Sequence, residues 1–235
     1  VTFISTDGFP VSAQQVLYGQ KPSALSAPTR IGYIFAGWYN GNTKYSFTAP
    51  ATANLRLTAK WTPISYRITY NTNKGTLPKN AITSYNLTQS VALPTPVRKG
   101  YTFAGWYTNS SLTQKAASIK VGTTGNKTFY AKWTKVSTAT VKATGLSNVK
   151  GKKAKLTWKK IKGVKGYRIS YSTTKKFTKK TTKTVSVKAN ATKKTISKLK
   201  KGKTYYVRIR AYKLDSAGNK IYGKWSTVQR VTIRK

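Results

Sequence analysis

Arginines at alternating positions are the residues of this 235-residue chain that most clearly suggest chemistry. The segment KTYYVRIRAY, residues 203–212, alternates apolar and polar side chains as a half-buried strand does. With its apolar side chains inward, four side chains share the outer face: Tyr206, Arg208, Arg210 and Tyr212. A guanidinium group offers a planar fork of N–H donors that fits carboxylate, sulfate or phosphate. The segment therefore predicts an anion-binding face. An ordinary exposed β face, on which stacking offsets charge repulsion, is the alternative interpretation.

Other reactive side chains are almost absent. The chain has 45 lysines and arginines but only two acidic residues, Asp7 and Asp215, and it has no histidine, cysteine or methionine. Without imidazole or thiol, the commonest proton shuttle, nucleophile and soft metal ligand are missing. Two aspartates so far apart in the sequence do not indicate an acid–base pair, and no serine–lysine pair stands out. We therefore predict a protein that is not an enzyme and that holds no cofactor and no metal.

A tandem repeat organises the first half of the chain. The phrase GYTFAGWYTN at 100–109 is a near copy of GYIFAGWYNG at 32–41, and LTAKWT at 57–62 returns as FYAKWT at 129–134. These spacings predict one repeat at 1–63 and a second at 64–135. Each repeat is predicted to contain short strands separated by Gly, Pro and Asn turns, and the segment AQQVLYGQ (13–20) could form one helical turn.

The repeated aromatic phrase has a structural and a ligand-binding interpretation. Alternation places three residues of each closing strand on one face: Leu57, Ala59 and Trp61, and then Phe129, Ala131 and Trp133. A repeat of about 65 residues is near the lower size limit for an independent core, so large aromatic residues are a plausible way to bury enough area. We interpret the phrase as a core strand in which the glycine before Trp38 and Trp106 permits close packing or a bulge. Stacking of exposed rings on a carbohydrate or peptide is the alternative.

The motif blocks of the second copy follow one another as LPTPVRKG, GYTFAGWYTN and TGNKTFYAKWT. In this order they resemble the Listeria–Bacteroides repeat of bacterial surface proteins, including the B repeats of internalins, and the first copy resembles it slightly less closely. The resemblance implies a small β-grasp-like (α+β) module that is extracellular, usually strung in arrays beside other domains, and without catalytic residues. The loops here contain fewer acidic residues than that family leads us to expect, which argues against an acid-dependent contact.

From about residue 136 the composition shifts to lysine and threonine, and seven alternating segments with turn-rich spacers follow. Seven short strands in about 100 residues is the number expected of an Ig-like sandwich. Trp158, the pair Gly166–Tyr167 and Tyr205 resemble the fibronectin type III pattern, in which Trp158 would be the core tryptophan and Tyr205 the corner tyrosine. We therefore predict a mainly β chain, in which two small β-grasp-like repeats precede an Ig-like, fibronectin type III-like β-sandwich at 136–235.

The type III resemblance brings all arginines of the last domain together, because it implies that their three strands are adjacent in one sheet. The predicted anion-binding surface then has seven residues: Arg168, Arg208, Arg210, Arg230, Arg234, Tyr206 and Tyr212. Of the 45 basic residues, 30 lie in 136–235 together with one acid, which gives this domain a formal charge of +29. The lysine runs fall at predicted turns, where a solvated loop is the simpler interpretation.

These observations favour non-catalytic attachment of a larger exported bacterial protein through anionic polysaccharide or teichoic acid. No nucleic-acid motif is present, and no apolar run is long enough to span a membrane. We expect an extracellular protein, cell-wall associated or secreted, and interpret Val1 as the start of a fragment or processed chain. The partner could also be a neighbouring domain of the parent protein. The chain would then be a structural spacer, or an accessory region that packs against a catalytic domain.

Overall fold

The computed structural model describes residues 1–5 and 10–234, and these residues form twenty strands and no helix. The mainly β prediction is confirmed, and Asp7 lies outside the described residues. The helical turn predicted at 13–20 is wrong, because the backbone of this segment bonds to a distant one. The N–H of Gly19 donates to the carbonyl of Ala51 at 2.9 Å, and the N–H of Ala51 donates to Gln20 at 2.8 Å. The α+β character implied for the repeats is not confirmed.

The first repeat is a five-stranded mixed sheet made of β1 (Thr2–Ile4), β2 (Pro10–Ala13), β3 (Tyr33–Asn40), β4 (Thr43–Lys44) and β5 (Arg56–Pro63). The strand order is β2-β1-β5-β3-β4, and the central pair of β1 and β5 is parallel. The buried core consists of Phe3, Trp38, Leu57 and Ala59, with Trp61 packed against it. The predicted inward face of β5 is therefore confirmed.

A bulge in β3 seats the first tryptophan in that core. The register of β3 on β5 shifts between Phe35 and Gly37, and Gly37 has a φ of +131°, which residues with a side chain rarely adopt. Gly105 of the second repeat has a φ of +124°. Trp38 and Trp106 are only 3% and 2% exposed. The structural interpretation of the repeated phrase is confirmed, and the bulge itself is observed in the first repeat.

The second repeat contains seven strands: β6 (Tyr66–Asn71), β7 (Ser84–Tyr85), β8 (Val91–Ala92), β9 (Tyr101–Tyr107), β10 (Lys115–Ala116), β11 (Ser118–Ile119) and β12 (Lys127–Lys135). Its main sheet has the order β10-β9-β12-β6-β7 with β6 and β12 parallel, and β8 pairs with β11 separately.

The chain has two compact units: Val1–Asn71, Lys79–Pro94 and Trp106–Tyr130 form one, and Thr72–Pro78, Thr95–Gly105 and Ala131–Lys235 form the other. The module boundaries after residues 63 and 135 stay a prediction.

The C-terminal domain, within the second unit, is a sandwich of two sheets. Its strands are β13 (Ala143–Val149), β14 (Lys153–Trp158), β15 (Gly166–Ser172), β16 (Thr182–Lys188), β17 (Lys193–Ile196), β18 (Thr204–Leu214), β19 (Lys220–Tyr222) and β20 (Gln229–Thr232). One sheet has the order β13-β14-β17, and the other has the order β16-β15-β18-β19 with β20 also paired to β18. Trp158 lies in the core at 2% exposure, and the hydroxyl of Tyr205 accepts a hydrogen bond from the N–H of Lys200 at 3.1 Å. Both residues have their predicted structural roles.

Candidate anion-binding surface of the C-terminal domain

Three neighbouring strands, β15, β18 and β20, carry the residues predicted to bind an anion. Arg168 of β15 lies directly opposite Arg210 of β18, and Arg230 of β20 lies directly opposite Tyr206 of β18. Directly opposed residues point to the same side of a sheet, and alternate residues of one strand do so as well. The structure therefore places these side chains, together with those of Arg208 and Tyr212, on one outer face.

The arginines at the centre of this face alternate with aromatic rings. The guanidinium carbon of Arg208 lies 4.0 Å from the ring centroid of Phe177 and 4.4 Å from that of Trp225. The guanidinium carbon of Arg210 lies 4.2 Å from Trp225 and 4.1 Å from Tyr222, and that of Arg168 lies 5.7 Å from Tyr222. These distances are those of cation–π contacts. We name the whole run the arginine stack; in spatial order it contains Phe177, Arg208, Trp225, Arg210, Tyr222 and Arg168.

A bulge between β19 and β20 turns Trp225 onto this face. The N–H of Gly223 donates to the carbonyl of Ala211 at 3.0 Å, and the N–H of Ser226 donates to the carbonyl of Ile209 at 2.8 Å. The outer strand thus advances three residues while β18 advances two, so one residue is extra. The hydroxyl of Ser226 accepts a hydrogen bond from the N–H of Ile209 at 3.0 Å, which fixes the end of the bulge. The extra residue breaks the alternation of the strand and brings the indole ring between two arginines.

The turn between β15 and β16 supplies the first ring of the stack. Phe177 has a φ of +53°, a left-handed conformation that is strained for an aromatic residue. A hydroxyl network orders this turn: Ser172 donates to the hydroxyl of Thr181 at 2.8 Å, and Thr181 and Thr178 are hydrogen-bonded at 2.8 Å. The ordered turn holds Phe177 against the outer side of Arg208.

The stacked arginines have no carboxylate partner among the described residues. The Nε atoms of Arg208 and Arg210 are buried and lack a hydrogen-bond partner. Burial lowers the pKa of both guanidinium groups, and the nearby charge of Arg168 lowers the pKa of Arg210 further. The direct pairing of Arg168 with Arg210 sets like charges opposite each other, which is destabilising by itself. Contact with the electron-rich ring faces offsets part of this repulsion and holds each guanidinium plane in place.

The remaining predicted residues lie beside the stack. The ring of Tyr212 packs against that of Tyr222 with centroids 5.5 Å apart. It also covers Gly166, where an added Cβ would lie 2.8 Å from the tyrosine hydroxyl. Arg230 and Arg234 are exposed, and Arg234 follows the end of β20. The structure thus brings three of the five predicted arginines into the stack and leaves two free of it.

Sequence reasoning missed all three rings of the stack. Tyr222 ends a strand, β19, that was not predicted, and Trp225 lies in the bulge that follows it. Phe177 lies in a lysine-rich turn that was interpreted as a solvated loop. The available signal was the pair of aromatic residues in IYGKWS at 221–226, next to a strand with arginines at alternate positions.

Asp215 joins the C-terminal domain to a segment of the second repeat that belongs to the same compact unit. Its carboxylate accepts hydrogen bonds from the backbone N–H groups of Gly100 and Asn219, each at 2.8 Å. The bond from Gly100 is the main reason why the pKa of Asp215 is lowered. Next to it, the hydroxyl of Ser216 accepts from the N–H of Arg98 at 2.8 Å and donates to the carbonyl of Arg98 at 3.1 Å. The only acidic side chain that the structure describes therefore serves as a structural joint.

The described part of the chain offers no cluster of three His, Cys, Asp or Glu side chains for a metal ion. It also contains no helix with the length and apolar character needed to cross a membrane. The absence of an enzymatic activity, a cofactor and a metal stays a prediction, because it rests on the inventory of side chains described above.

Two families match successive parts of the chain. The Listeria-Bacteroides repeat domain matches residues 1–60 and 66–132. The fibronectin type III domain matches residues 139–227. The resemblance to two such repeats followed by a type III domain is therefore confirmed.

Individual proteins are similar to parts of the chain. Internalin H of Listeria monocytogenes is 36% identical over 117 residues, which are 47% of this chain and 21% of that protein. A protein of Evansella cellulosilytica described as a Gly-rich membrane protein is 31% identical over 138 residues, which are 57% of this chain and 16% of that protein. The crystal structure of an Fn3-like protein from Clostridium thermocellum is 21% identical, with a TM-score of 0.32, covering 43% of this chain and 97% of that one. The chain thus spans about a fifth of the length of its curated relatives or less.

Proposed function

We propose that this chain, which belongs to the Listeria-Bacteroides repeat domain family, is a non-catalytic attachment region of a larger bacterial surface or secreted protein. Its modules are of the repeat and fibronectin type III kinds, and its similarity to Internalin H supports a surface role. The proposed ligand is an anionic polymer of the bacterial wall or of a host surface. The arginine stack would hold it, assisted by the exposed Arg230 and Arg234.

The observation that carries this proposal is the arginine stack, in which Arg208 and Arg210 have no described hydrogen-bond partner, whereas Arg168 donates to the hydroxyl of Thr184 at 3.4 Å. Two rings lie within 4.4 Å of each of the Arg208 and Arg210 guanidinium carbons, and the Nε atoms of both residues are buried, so the terminal nitrogens are the donors left for a ligand. No described acceptor bonds to them. Stacking also fixes the direction of each fork before a ligand arrives, which reduces the entropy lost on binding. Such a fork suits carboxylate, sulfate or phosphate.

The surrounding charge would extend the reach of the stack. The domain has a formal charge of +29, and this field attracts a polyanion with little selectivity. The field is screened by salt, whereas close contacts to a half-buried fork are screened much less. Salt dependence therefore separates diffuse attraction from recognition by the stack.

Co-sedimentation with purified Gram-positive cell walls, with and without teichoic acid, tests the proposal between about 50 and 500 mM salt. The informative variant is R168K/R208K/R210K, because lysine keeps the charge but lacks the planar fork. A matched control carries the reverse change at three exposed lysines of the other sheet, K153R/K155R/K193R. Thermal unfolding of each variant verifies that it is folded.

We expect the wild-type chain to bind walls that contain the polymer and the lysine variant to bind them about tenfold more weakly, since one charge-assisted hydrogen bond is worth at least this factor. The control variant should match the wild type. Equal binding by all three proteins, lost together as salt rises, would mean diffuse attraction only and would overturn the role of the stack.

A structural spacer is the second candidate, and the joint at Asp215 favours it. Two more backbone bonds reinforce that joint: Ser216 N–H donates to the carbonyl of Tyr101 at 2.8 Å, and Val136 N–H donates to the carbonyl of Gly100 at 2.9 Å. A joint with this many hydrogen bonds restricts relative motion of the segments it connects. A spacer should tolerate the arginine-to-lysine changes, but Asp215→Asn should broaden its distribution of interdomain distances in small-angle X-ray scattering.

A further inference from the structure

A second basic feature of the C-terminal domain is a cavity of about 780 Å³ beside the start of β16. Five lysines line it: Lys180, Lys183, Lys198, Lys200 and Lys203. Most of its other lining residues carry hydroxyl groups, among them Thr181, Tyr205 and Tyr206. Asp215, the only described acidic side chain, does not line the cavity, and neither do the stacked arginines. The cavity thus concentrates positive charge and hydrogen-bond donors in one concave place.

The lysine-rich segment KLKKGK at 198–203 is not a loose loop. Leu199 is buried, and its N–H donates to the carbonyl of Lys152 at 3.0 Å. The N–H of Gly202 donates to the carbonyl of Ile233 at 2.8 Å, and the N–H of Ile233 returns a bond to Lys203 at 3.0 Å. The backbone that presents three of the five ammonium groups is therefore hydrogen-bonded to the residue before β14 and to the residue after β20.

The opposite rim of the cavity is ordered as well. Thr181, which lines it, belongs to the hydroxyl network that holds the turn before β16. Lys183 of β16 lies directly opposite Tyr171 of β15, and the Tyr171 ring packs near that of Tyr205 at 6.4 Å. These two rings form part of the wall of the cavity, and low-dielectric walls focus the field of the surrounding charges.

We propose that this cavity binds esterified oxyanions, phosphate or sulfate, on a polyol or sugar chain. Its volume lies within the range of roughly 300–1,000 Å³ that is typical of small-molecule sites, which is more than one inorganic anion fills. Five ammonium groups are neutralised only by a ligand with several negative charges, and the hydroxyl groups match the polar backbone of such a ligand. The site is separate from the arginine stack, so its test does not depend on the proposed function.

Isothermal titration calorimetry at about 150 mM salt, with the whole chain, tests this site. The probes are a glycerol phosphate oligomer and a heparin oligosaccharide of similar charge, which distinguish a phosphate from a sulfate source. The site variants are K198Q/K200Q/K203Q on one rim and K180Q/K183Q on the other. The control variants, K159Q/K160Q/K162Q and K159Q/K160Q, remove the same number of charges, three and two, from an exposed segment outside the cavity.

We expect both site variants to weaken binding of at least one probe about tenfold, and both controls to change it about twofold or less. Amide NMR shifts on titration should centre on Thr181, Leu199 and Tyr206. The two rims provide independent variants, so a folding defect in one leaves the other informative. Equal weakening by site and control variants, or no binding of either probe, would overturn the site. If R168K/R208K/R210K loses wall binding but binds the calorimetry probes as the wild type does, the arginine stack and the cavity act as separate binding surfaces.

Discussion

Replacing Trp225 by alanine should destabilise the C-terminal domain because the ring separates two arginines. The indole ring lies 4.4 Å from the guanidinium carbon of Arg208 and 4.2 Å from that of Arg210, and its residue is half-buried. Half of a tryptophan side chain corresponds to about 100 Å² of apolar area, or about 2.5 kcal/mol at about 25 cal/mol per Å². The two cation–π contacts add about 1 kcal/mol each.

A compensating effect reduces this sum. Removal of the ring lets water reach the Nε atoms of Arg208 and Arg210, which are buried and unpartnered in the folded chain. Hydration of these two donors should return about 1 kcal/mol. The expected loss in the free energy of unfolding for Trp225→Ala is therefore about 3.5 kcal/mol. Trp225→Leu keeps part of the apolar area but no ring quadrupole, so it should cost about 2 kcal/mol.

Urea unfolding, followed by circular dichroism, measures these losses. A double-mutant cycle between Trp225→Ala and the pair R208Q/R210Q isolates the contacts, and we expect a coupling energy of about 2 kcal/mol. A cost of Trp225→Ala within about 0.5 kcal/mol of zero is what an ordinary surface residue gives. That result, or a coupling energy near zero, would refute the argument that the ring stabilises the paired arginines.

Three further outcomes follow from single contacts. Trp106→Phe should lower the free energy of unfolding, measured with urea, by about 1 kcal/mol more than Trp38→Phe does. The reason is that the Trp106 indole N–H donates to a carbonyl at 2.6 Å, whereas that of Trp38 has no described partner. Equal losses for the two variants would contradict this. The folded-state pKa of Asp215 is lowered, so its stabilising effect is complete above the unfolded pKa of about 3.9 and is lost as the pH falls through the folded value. In the Asp215→Asn variant, the free energy of unfolding should therefore fall less steeply as the pH is lowered below about 4. An unchanged pH dependence would show that the carboxylate of Asp215 does not stabilise the joint. Gly166→Ala should lower the melting temperature, because its Cβ would lie 2.7 Å from a carbonyl and 2.8 Å from a tyrosine hydroxyl; an unchanged value would show that both neighbours move aside.

The shared face of the arginines could be predicted because strand alternation and strand order are local and family-level rules. Val207 and Ile209 are buried at 1% and 0% exposure, which confirms the alternation that turns Arg208 and Arg210 outward. The rings between the arginines could not be predicted in the same way. Trp225 reaches the face through a bulge, where the period of two residues fails.

Long-range backbone pairing limited the sequence reasoning elsewhere as well. Phe177 contacts Arg208 from a turn in which its own backbone has a left-handed conformation. The alternation of apolar and polar residues in the sequence does not predict contacts made by such a residue. The segment 13–20 alternates too weakly to define a strand, and its backbone bonds to Ala51, far along the chain. The cavity lined by lysines is formed by residues at 171–183 and residues at 197–206, which are separated in the sequence by most of β16 and by β17. Its concave shape therefore depends on the packing of two sheets.

Arginines stacked on rings occur in the repeats too, and this bears on the meaning of the stack. Arg30 lies 4.0 Å from the ring of Tyr33, and Arg98 lies 3.8 Å from the ring of Tyr101. Stacking alone is therefore a recurrent structural device in this chain. Each of these two arginines also has a second, more distant ring, Trp61 at 5.9 Å from Arg30 and Trp133 at 6.0 Å from Arg98. The C-terminal stack differs because Arg208 and Arg210 each have two rings within 4.4 Å and lie next to each other without a described carboxylate. A stabilising role needs only the rings and predicts that lysine replacements lower stability but not wall binding. Loss of binding beyond the loss of stability is thus the result that distinguishes a binding surface from a structural one.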